Sequence, residues 1–396
     1  MKILWLGPGF LHPATRGGQI RTLEMLRRLH TRHEIHYVGL HDGSGEALER
    51  SSEYCSKAWP VPYVLAPRDS ARFWIQTARF LFSKLPVVVA RKRSRAAGQF
   101  VERLLREQGF DLVVCDFLTP TVHLPPAQPF VLVEHNVETV LWRRYAEQAT
   151  DPAARLFFRL QAERMLRFEC GACRRATQVI TVSEADAASL REMCGVSHAS
   201  AIPTGVDAAR FARPSAPAPA PASDVLFVGS MDWLPNIDGV RWFVREVLPR
   251  IRQRVPQCSL TIAGRHPPAS IRELATADSR IRVTGTVDDI RPYLWAASVS
   301  VVPLRIGGGT RLKIYEAMAA GIPVVSTTIG AEGLDVSSPM NIRIADTAEA
   351  FADACVELLA DPAECARQAA AAALVSERFS WETVAARFEE IVMRRR

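Results

Sequence analysis

Residues 299–328 read VSVVPLRIGGGTRLKIYEAMAAGIPVVSTT, a pattern that predicts a strand, a glycine loop, a helix and a second strand in succession. The apolar run from Val299 to Leu304 is typical of a buried strand, and helical spacing extends from Thr310 to Ala320. Gly321 stands where helices commonly end in a left-handed residue, and Val324 to Thr328, which starts with two valines, predicts a second strand. This order predicts a βαβ unit with its loop at the carboxyl edge of a parallel sheet, where doubly wound folds bind ligands.

The loop and the first helical turn carry groups that suit an anionic ligand. Gly308 and Gly309 let the backbone approach a ligand closely, and the free N–H groups of a helix N-terminus attract anions. Arg311 and Lys313 add two cations, and Glu316 lies one turn beyond Lys313 on the same side. The cations suit a diphosphate and the carboxylate suits sugar hydroxyls. The alternative is an ordinary strand-to-helix turn with solvated charges.

The segment EAMAAGIPVV, from Glu316 to Val325, closely resembles the donor-binding motif of the GT-B glycosyltransferases, specifically the retaining family 4. In that family a Glu-x7-Glu motif holds a nucleotide sugar, and the position of its first Glu is Gly308 here. The resemblance assigns Glu316 to the ribose hydroxyls and leaves the contact of the first Glu to other groups. VITVSEAD (179–186) and IPTGVDAARF (202–211) resemble further family signatures, so the similarity covers nearly the whole chain.

The resemblance implies an α/β fold of GT-B type, with two Rossmann-like, doubly wound domains that face a cleft. The length of 396 residues also favours two domains. We expect an N-terminal acceptor-side domain over residues 1–213, a nucleotide-sugar-binding domain over 224–379, and a last helix at 380–396 that crosses back. Alternating Pro and Ala at 214–223 predict an extended linker, because they form neither helix nor sheet.

Two candidate site positions follow predicted strands in the N-terminal half. Gly17 and Gly18 open the first predicted helix, and in the family this loop approaches the donor phosphates and the acceptor. His135 comes directly after the buried strand Pro129–Val133, as an active-site residue in such a sheet would. A lone His in a loop is more often structural. The resemblance favours a contact of His135 with the donor sugar or the acceptor.

Two loops of the C-terminal half are assigned to the donor by resemblance. Gly229 and Ser230 stand where much of the family supplies cations to the diphosphate, which leaves Arg311 and Lys313 as the expected phosphate-binding pair. The nucleobase edge is expected to meet the loop 285–289, which includes Val287. The expected catalytic residues are therefore His135, Arg311 and Lys313, and the expected donor-binding residues are Gly17, Gly18, Gly229, Ser230, Val287, Gly308, Gly309, Thr310 and Glu316.

The reaction implied by the resemblance is transfer of a hexose from a nucleoside diphosphate sugar to a hydroxyl, with retention at the anomeric carbon. Arg311, Lys313 and the helix amides after Gly309 would stabilise the departing diphosphate. No cofactor and no metal are expected, and helix capping accounts for Asp289 in the Asp288-Asp289 pair. The alternatives are a UDP-sugar epimerase on the same fold and a non-catalytic nucleotide-sugar binder. A dehydrogenase is disfavoured because no GxGxxG follows the first strand.

The excess of positive over negative charge falls in the first half of the chain. Residues 1–200 contain 27 Lys and Arg against 20 Asp and Glu, whereas residues 201–396 contain 22 of each. The stretch 68–106 has ten basic and two acidic residues, with Phe73, Trp74, Phe80, Leu81 and Phe82 among them. It resembles a segment that rests on anionic lipid, which would bring the enzyme to a lipid-linked or polysaccharide precursor. The alternative is a helix pair with core aromatics, and no nucleic-acid-binding pattern accompanies the stretch.

Cysteine use and the N-terminus predict the compartment. Cys170 and Cys173 form an isolated CxxC without the second ligand pair of a zinc site, so all eight cysteines are expected to be free thiols. The N-terminal MKILWLGPGF lacks a secretory core, and no apolar run is long enough to span a membrane. We therefore expect a cytoplasmic enzyme that binds peripherally to the inner face of the membrane.

Overall fold

The computed structural model describes residues 1–43, 45–64, 70–71, 75, 80, 83–214, 223–309 and 311–394. The chain divides into two compact units. Unit 1 comprises Met1–Pro203, Gly308–Thr310 and Glu382–Arg396, and unit 2 comprises Thr204–Gly307 and Arg311–Trp381. Residues 215–222 of the predicted linker lie outside the described residues.

Unit 1 is built around a parallel sheet of seven strands. The strands are β1 (Lys2–Gly7), β2 (Glu34–His41), β3 (Lys57–Pro62), β4 (Leu112–Asp116), β5 (Val131–Val133), β6 (Gln178–Thr181) and β7 (Ala199–Ala201). Their order in the sheet is β3-β2-β1-β4-β5-β6-β7. The first strand is central, because Leu4 pairs with His36 on one side and with Val113 on the other. The strands are apolar runs because helices cover both faces of such a sheet.

Unit 2 repeats this architecture with six parallel strands. They are β8 (Asp224–Val228), β9 (Ser259–Ala263), β10 (Ile281–Gly285), β11 (Val299–Val302), β12 (Val324–Ser326) and β13 (Arg343–Ile344). The order β10-β9-β8-β11-β12-β13 is that of a doubly wound sheet, in which the direction of winding reverses beside the first strand. The predicted α/β class with two doubly wound sheets is therefore confirmed.

Helices connect the strands in both units. In unit 1 they are α1 (Gly17–Leu29), α2 (Gly45–Glu49), α3 (Val87–Lys92), α4 (Arg95–Glu107), α5 (Glu138–Gln148), α6 (Pro152–Arg175) and α7 (Glu184–Cys194), with 3-10 turns at Arg50–Glu53 and Thr119–His123. In unit 2 they are α8 (Ala208–Phe211), α9 (Leu234–Trp242), a π-helical turn (Phe243–Val247), α10 (Leu248–Arg254), α11 (Ala269–Ala277), α12 (Arg291–Ala296), α13 (Leu312–Ala319), α14 (Thr328–Ala331), α15 (Ala348–Ala360) and α16 (Pro362–Glu377). The last helix, α17 (Trp381–Met393), starts at the boundary of the two units.

The central βαβ segment forms as predicted, with shorter elements. Strand β11 ends at Val302, before Pro303, which has no N–H to donate to a neighbouring strand. Helix α13 starts at Leu312 rather than at residue 310, so the glycine loop is longer than predicted. Gly321 has a φ of +70°, the left-handed conformation expected after the helix.

The cysteines depart from the expectation that all are free thiols. Cys170 of α6 and Cys194 of α7 form a disulfide, with a sulfur–sulfur distance of 2.04 Å. The expectation rested on the isolated CxxC and on a reducing compartment, and the partner of Cys170 is 24 residues away in the sequence. Cys173 is a buried free thiol, as are Cys55 and Cys115.

The basic stretch 68–106 is described in part. Phe80 is partly buried and packs against the core of unit 1, as the alternative interpretation expects. Phe73, Trp74, Leu81 and Phe82 lie outside the described residues. Among the helices that the structure describes, none combines the length and apolar character needed to cross a bilayer.

Candidate active site

The candidate site of unit 1 lies at the carboxyl ends of β4 and β5. Asp116 is the last residue of β4, and His135 follows β5 by two residues. His135 Nε2–H donates to Asp116 Oδ1 (2.7 Å), and Thr22 Oγ1 donates to Asp116 Oδ2 (2.6 Å). These bonds fix the imidazole with its other nitrogen, Nδ1, buried and without a partner among the described residues. Nδ1 is therefore left as a hydrogen-bond acceptor.

The ring of His135 is held from two further sides. Phe117 stacks on it with ring centroids 3.9 Å apart, and Phe117 has a φ of +70°, a strained conformation for an aromatic residue. A Cβ atom at Gly18 would lie 2.6 Å from Cζ of Phe117 and 3.3 Å from Nδ1 of His135. The structure thus brings the predicted residues Gly18 and His135 together, with Gly17 at the first position of α1.

Burial keeps the imidazole neutral. It lowers the pKa of His135, an effect opposed by the Asp116 carboxylate and assisted by Arg21. Arg21 itself is fully buried, its Nη2 donates to the carbonyl of Ile202 (3.0 Å), and burial lowers its pKa to about 10. A neutral imidazole with Nε2–H bound to a carboxylate can accept a hydrogen bond from a substrate hydroxyl through Nδ1.

The candidate site of unit 2 is formed around the ammonium group of Lys313 on α13. Lys313 Nζ donates to Asn236 Oδ1 (3.0 Å), and Asn236 Nδ2 donates to the carbonyl of Ser230 (2.8 Å). A Cβ at Gly229 would lie 2.9 Å from Lys313 Nζ. Three predicted residues, Gly229, Ser230 and Lys313, therefore meet where β8 ends and α13 begins.

The environment of Lys313 disfavours its charge. Its Nζ lies 4.5 Å from the centroid of the Phe227 ring, a contact that by itself favours the ammonium cation, but burial opposes the charge. Burial, and then the positive charge of Arg311, lower the pKa of Lys313 to about 7. At neutral pH only a fraction of the protein molecules thus carries a protonated Lys313. An anion bound beside the side chain would stabilise the protonated form.

Glu316 lies one turn further along α13 and is half-buried. Burial raises the pKa of its carboxyl to about 7, against the opposing charges of Lys313 and Arg210. Its carboxylate oxygens make no hydrogen bond with any residue that the structure describes. Such a carboxyl is available to accept hydrogen bonds from the hydroxyls of a ligand.

Arg311 is buried, and its guanidinium contacts backbone carbonyls of the next strand-to-helix connection. Nε donates to the carbonyl of Gly330 (3.1 Å) and Nη2 to that of Ile329 (3.0 Å). A Cβ at Gly307 would lie 2.7 Å from Nη2, so this glycine makes room for the guanidinium. Arg311 therefore anchors the loop to α14, and its predicted contact with a phosphate stays a prediction.

The remaining predicted positions were expected to approach the donor mainly through their backbone, and these contacts stay predictions. Val287 is partly buried in the loop after β10, and Gly308 and Gly309 lie in the loop before α13, with Gly309 at a φ of +74°. Thr310 lies outside the described residues. Asp289 accepts from the backbone N–H of Arg291 (2.9 Å) at the start of α12. In the described part of the chain, no group of three or more His, Cys, Asp or Glu residues could hold a metal ion.

Three residues at these sites were missed from the sequence. Asp116 was detectable, because it follows an apolar run at the carboxyl end of a strand as His135 does. Arg265 was not, because its role depends on a contact between two loops: its Nε donates to Ser230 Oγ (2.6 Å) and its Nη2 pairs with Asp232 (3.0 Å). Phe117 gives no signal, since aromatic residues are rare in the left-handed conformation.

Two family models match the chain. The model described as Glycosyltransferase Family 4 matches residues 15–210, and the model described as Glycosyl transferases group 1 matches residues 222–361. Together the matches fall on both units.

Curated relatives match part of the chain. A glycogen synthase of Mycobacterium tuberculosis is 30% identical over 205 residues, which are 48% of this chain and 47% of that protein. A 44.6 kDa protein from the cps region of Klebsiella pneumoniae is 29% identical over 136 residues, or 33% of this chain and 35% of that one. The matches thus span about a third to a half of the length of these relatives.

Solved structures match nearly the whole chain. Sucrose-phosphate synthase from Thermosynechococcus elongatus has a TM-score of 0.73 at 19% identity. The match covers 100% of this chain and 99% of the synthase chain. HepE from Anabaena, in complex with UDP and glucose, has a TM-score of 0.70 at 16% identity and covers 99% of both chains. WaaG, a glycosyltransferase involved in lipopolysaccharide biosynthesis, has a TM-score of 0.66 at 13% identity, with 98% and 99% covered. The likeness confirms the predicted GT-B fold.

Proposed function

The chain belongs to glycosyltransferase family 4, with a GT-B fold, and from this premise we propose that it transfers a hexose from a nucleoside diphosphate sugar to a hydroxyl acceptor. The acceptor is a lipid-linked or polysaccharide precursor. Transfer proceeds with retention at the anomeric carbon, as inferred from the family, and without a metal ion or cofactor.

The observation that carries this proposal is the half-neutralised ammonium of Lys313. Lys313 has a pKa of about 7 and donates a hydrogen bond to the side-chain amide of Asn236. Its protonated fraction therefore increases when an anion binds beside it. As the bond between the anomeric carbon and the diphosphate breaks, negative charge grows on the diphosphate oxygens. Lys313 and the amides at the start of α13 are preorganised donors for that charge. This is the role usually given to a metal ion, so we expect EDTA to leave the rate unchanged.

Glu316 is assigned to the ribose of the donor, and His135 is assigned to the transferred sugar or to the acceptor hydroxyl. The Glu316 carboxylate accepts from the ribose hydroxyls, which accounts for a half-buried acid without a protein partner in the described chain. His135 Nδ1 accepts a hydroxyl hydrogen of the transferred sugar or of the acceptor. Both assignments follow the resemblance and agree with the hydrogen-bonding capacity that the structure leaves on these groups.

UDP-glucose is the first donor to test, because HepE has been solved with UDP and with UDP-glucose. Purified protein is titrated with UDP and GDP by calorimetry, and UDP release from UDP-glucose is then measured with and without lipid and polysaccharide fractions. We expect saturable UDP binding and release that depends on an acceptor. Failure of every nucleoside diphosphate to bind would contradict the proposal.

A second candidate is a non-catalytic nucleotide-sugar binder, and Gly308 in place of the first motif Glu is the observation that favours it. The same experiment separates the two functions. A binder takes up UDP-glucose and releases no UDP with any acceptor fraction, whereas a transferase releases UDP and labels an acceptor. An epimerase would convert the donor sugar with no acceptor present.

A further inference from the structure

Ser230 connects the ammonium of Lys313 with the guanidinium of Arg265. Its carbonyl accepts from Asn236 Nδ2 (2.8 Å), and Asn236 Oδ1 accepts from Lys313 Nζ (3.0 Å). Its hydroxyl oxygen accepts from Arg265 Nε (2.6 Å). One hydrogen-bonded chain of side chains and backbone thus has a cation at each end.

These groups lie where a doubly wound sheet is expected to bind ligands. Arg265 follows β9 by two residues, Ser230 follows β8 by two residues, and Lys313 is on the helix after β11. The three strands are neighbours in the order β9-β8-β11, and the direction of winding reverses beside β8. The two cations therefore come from opposite sides of the topological switch point, at the carboxyl edge of the sheet.

The counter-ion of Arg265 is a carboxylate of the loop after β8. Arg265 Nη2 pairs with Asp232 Oδ2 (3.0 Å), and the two side chains are 16% and 27% exposed. Both groups are thus accessible to a ligand. A phosphate offers a guanidinium the same kind of charged acceptor oxygens as a carboxylate does, so a phosphate can take the place of Asp232.

Arg311, the second cation expected from the sequence, is less suited to such an exchange. It is only 2% exposed, and its guanidinium donates to two backbone carbonyls of the next strand-to-helix connection. Turning Arg311 towards a ligand would leave buried carbonyls without these donors, which is unfavourable. Arg265 can exchange one anionic acceptor for another without that cost.

We propose that Arg265 is the second cation of the donor site, and that the diphosphate replaces Asp232 as its acceptor when the donor binds. Arg265 and Lys313 then contact the diphosphate together. The carboxylate and the phosphate compete for one guanidinium, so removal of the carboxylate charge should strengthen donor binding. An ion pair that only holds two loops together predicts the opposite. The inference rests on the proposed function for its claim that the anion belongs to a nucleotide sugar.

The test is calorimetric titration of the full chain with UDP and with inorganic pyrophosphate, which has the two phosphates and no nucleoside. Arg265→Met removes the cation, and Arg265→Lys keeps the charge but loses the planar arrangement of donors. Asp232→Asn removes the competing charge and keeps the shape of the side chain.

The matched control is the ion pair of Arg252 and Asp278, at the amino edge of the same sheet. Arg252 Nε donates to the carbonyl of Cys258, directly before β9, and Asp278 precedes β10. The side chains of this pair are 13% and 27% exposed, close to the values for Arg265 and Asp232. Arg252→Met and Asp278→Asn should therefore leave the affinity for both ligands unchanged.

We expect Arg265→Met to weaken the binding of UDP and of pyrophosphate about tenfold or more, and Arg265→Lys to weaken it less. Asp232→Asn should strengthen the binding of both about twofold to fivefold. Circular dichroism confirms that each variant is folded, and Arg265→Lys with Asp232→Asn test the inference if Arg265→Met is not. Weaker UDP binding by Asp232→Asn would overturn the exchange and make the ion pair a contact between loops.

Two further results separate this inference from the proposed function. UDP that binds wild type and Arg265→Met equally well overturns this inference alone and leaves the donor assignment. Pyrophosphate binding that depends on Arg265, without any UDP binding, keeps the anion site and overturns the transferase. Failure of both ligands to bind the wild-type protein overturns both.

Discussion

Lys313 and Glu316 show how burial on one helix gives two side chains pKa values near neutrality. Burial disfavours the charged form of each, so it lowers the pKa of the lysine and raises that of the acid, both to about 7. A bound diphosphate favours the lysine cation, and bound hydroxyls favour the carboxylate. Donor affinity should therefore fall with rising pH above 7 and with falling pH below 7.

The upper arm of this profile belongs to Lys313. Since an anion raises its pKa, UDP binding takes up a proton above pH 7, and affinity should fall by up to about tenfold for each pH unit. Lys313→Met should lower UDP affinity about tenfold or more at pH 7 and abolish the dependence above pH 7. Calorimetry in buffers of different ionisation enthalpy measures the proton uptake. An unchanged uptake in the variant would assign the proton to another group.

The lower arm belongs to Glu316. Glu316→Gln cannot ionise, so its UDP affinity should no longer change between pH 5 and 7, while the arm above 7 remains. Glu316→Ala should weaken UDP binding by about 1.5–3 kcal/mol, the range for hydrogen bonds to a charged group. Calorimetry at several pH values measures both effects, with Glu332→Gln, an exposed acid of the same unit, as control. Unchanged affinity in Glu316→Ala removes this residue from the site.

At the scale of elements, the carboxyl ends of β4 and β5 hold Asp116 and His135 as a pair. Asp116 acts through the imidazole and is a positioning residue, because its carboxylate fixes which nitrogen carries the proton. Asp116→Asn should lower the pKa of His135 further, since the carboxylate opposes the effect of burial. NMR titration of the ring measures this shift and its tautomer. If Asp116 acts only through His135, the double variant Asp116→Asn, His135→Ala should transfer sugar no more slowly than His135→Ala alone.

At the end of β8, the absence of a side chain at Gly229 leaves room for two groups of the proposed donor site. A methyl group at Gly229 would lie 2.9 Å from Lys313 Nζ and 2.8 Å from Asn236 Nδ2, both at the ends of flexible side chains. Gly229→Ala should therefore displace these groups and weaken UDP binding about tenfold, with little change in the free energy of unfolding. Gly171→Ala on α6 is the matched control, because nothing lies within 4 Å of its added methyl. Equal UDP affinity in both variants would contradict the site.

Periodicity and glycine placement predicted most of these elements, and the reasons for the exceptions are physical. Apolar runs located β11 and β5, and each predicted run is two residues longer than the observed strand. Between α9 and α10 a π-helical turn at Phe243–Val247 precedes Pro249, and periodicity does not detect such a turn. The hydrogen bonds of Arg311 to residues 329–330 and of Arg265 to Ser230 join distant segments, which spacing along one element does not reveal.

For the whole molecule, the sequence shows an excess of basic residues in its first half, and the fold shows in which unit they lie. The excess of Lys and Arg falls in residues 1–200, which lie in unit 1. Arg93 and Arg95 of the basic stretch are exposed, and so are the apolar side chains of Val64 and Leu156. Lys92, from the same stretch, is partly buried. Exposed cations and exposed apolar groups on one unit are the combination that binds reversibly to an anionic bilayer.

We therefore expect unit 1 to dock the protein on anionic membranes through this exposed surface. Each basic residue near such a bilayer contributes about 1 kcal/mol, so the double change Arg93→Gln and Arg95→Gln should weaken vesicle binding about tenfold or more. Sedimentation with vesicles of phosphatidylglycerol and phosphatidylcholine measures the bound fraction, and added salt should reduce it. The control is Arg245→Gln with Arg250→Gln, two exposed arginines of unit 2. A wild-type protein that stays in the supernatant at low salt would contradict docking and favour an acceptor in solution.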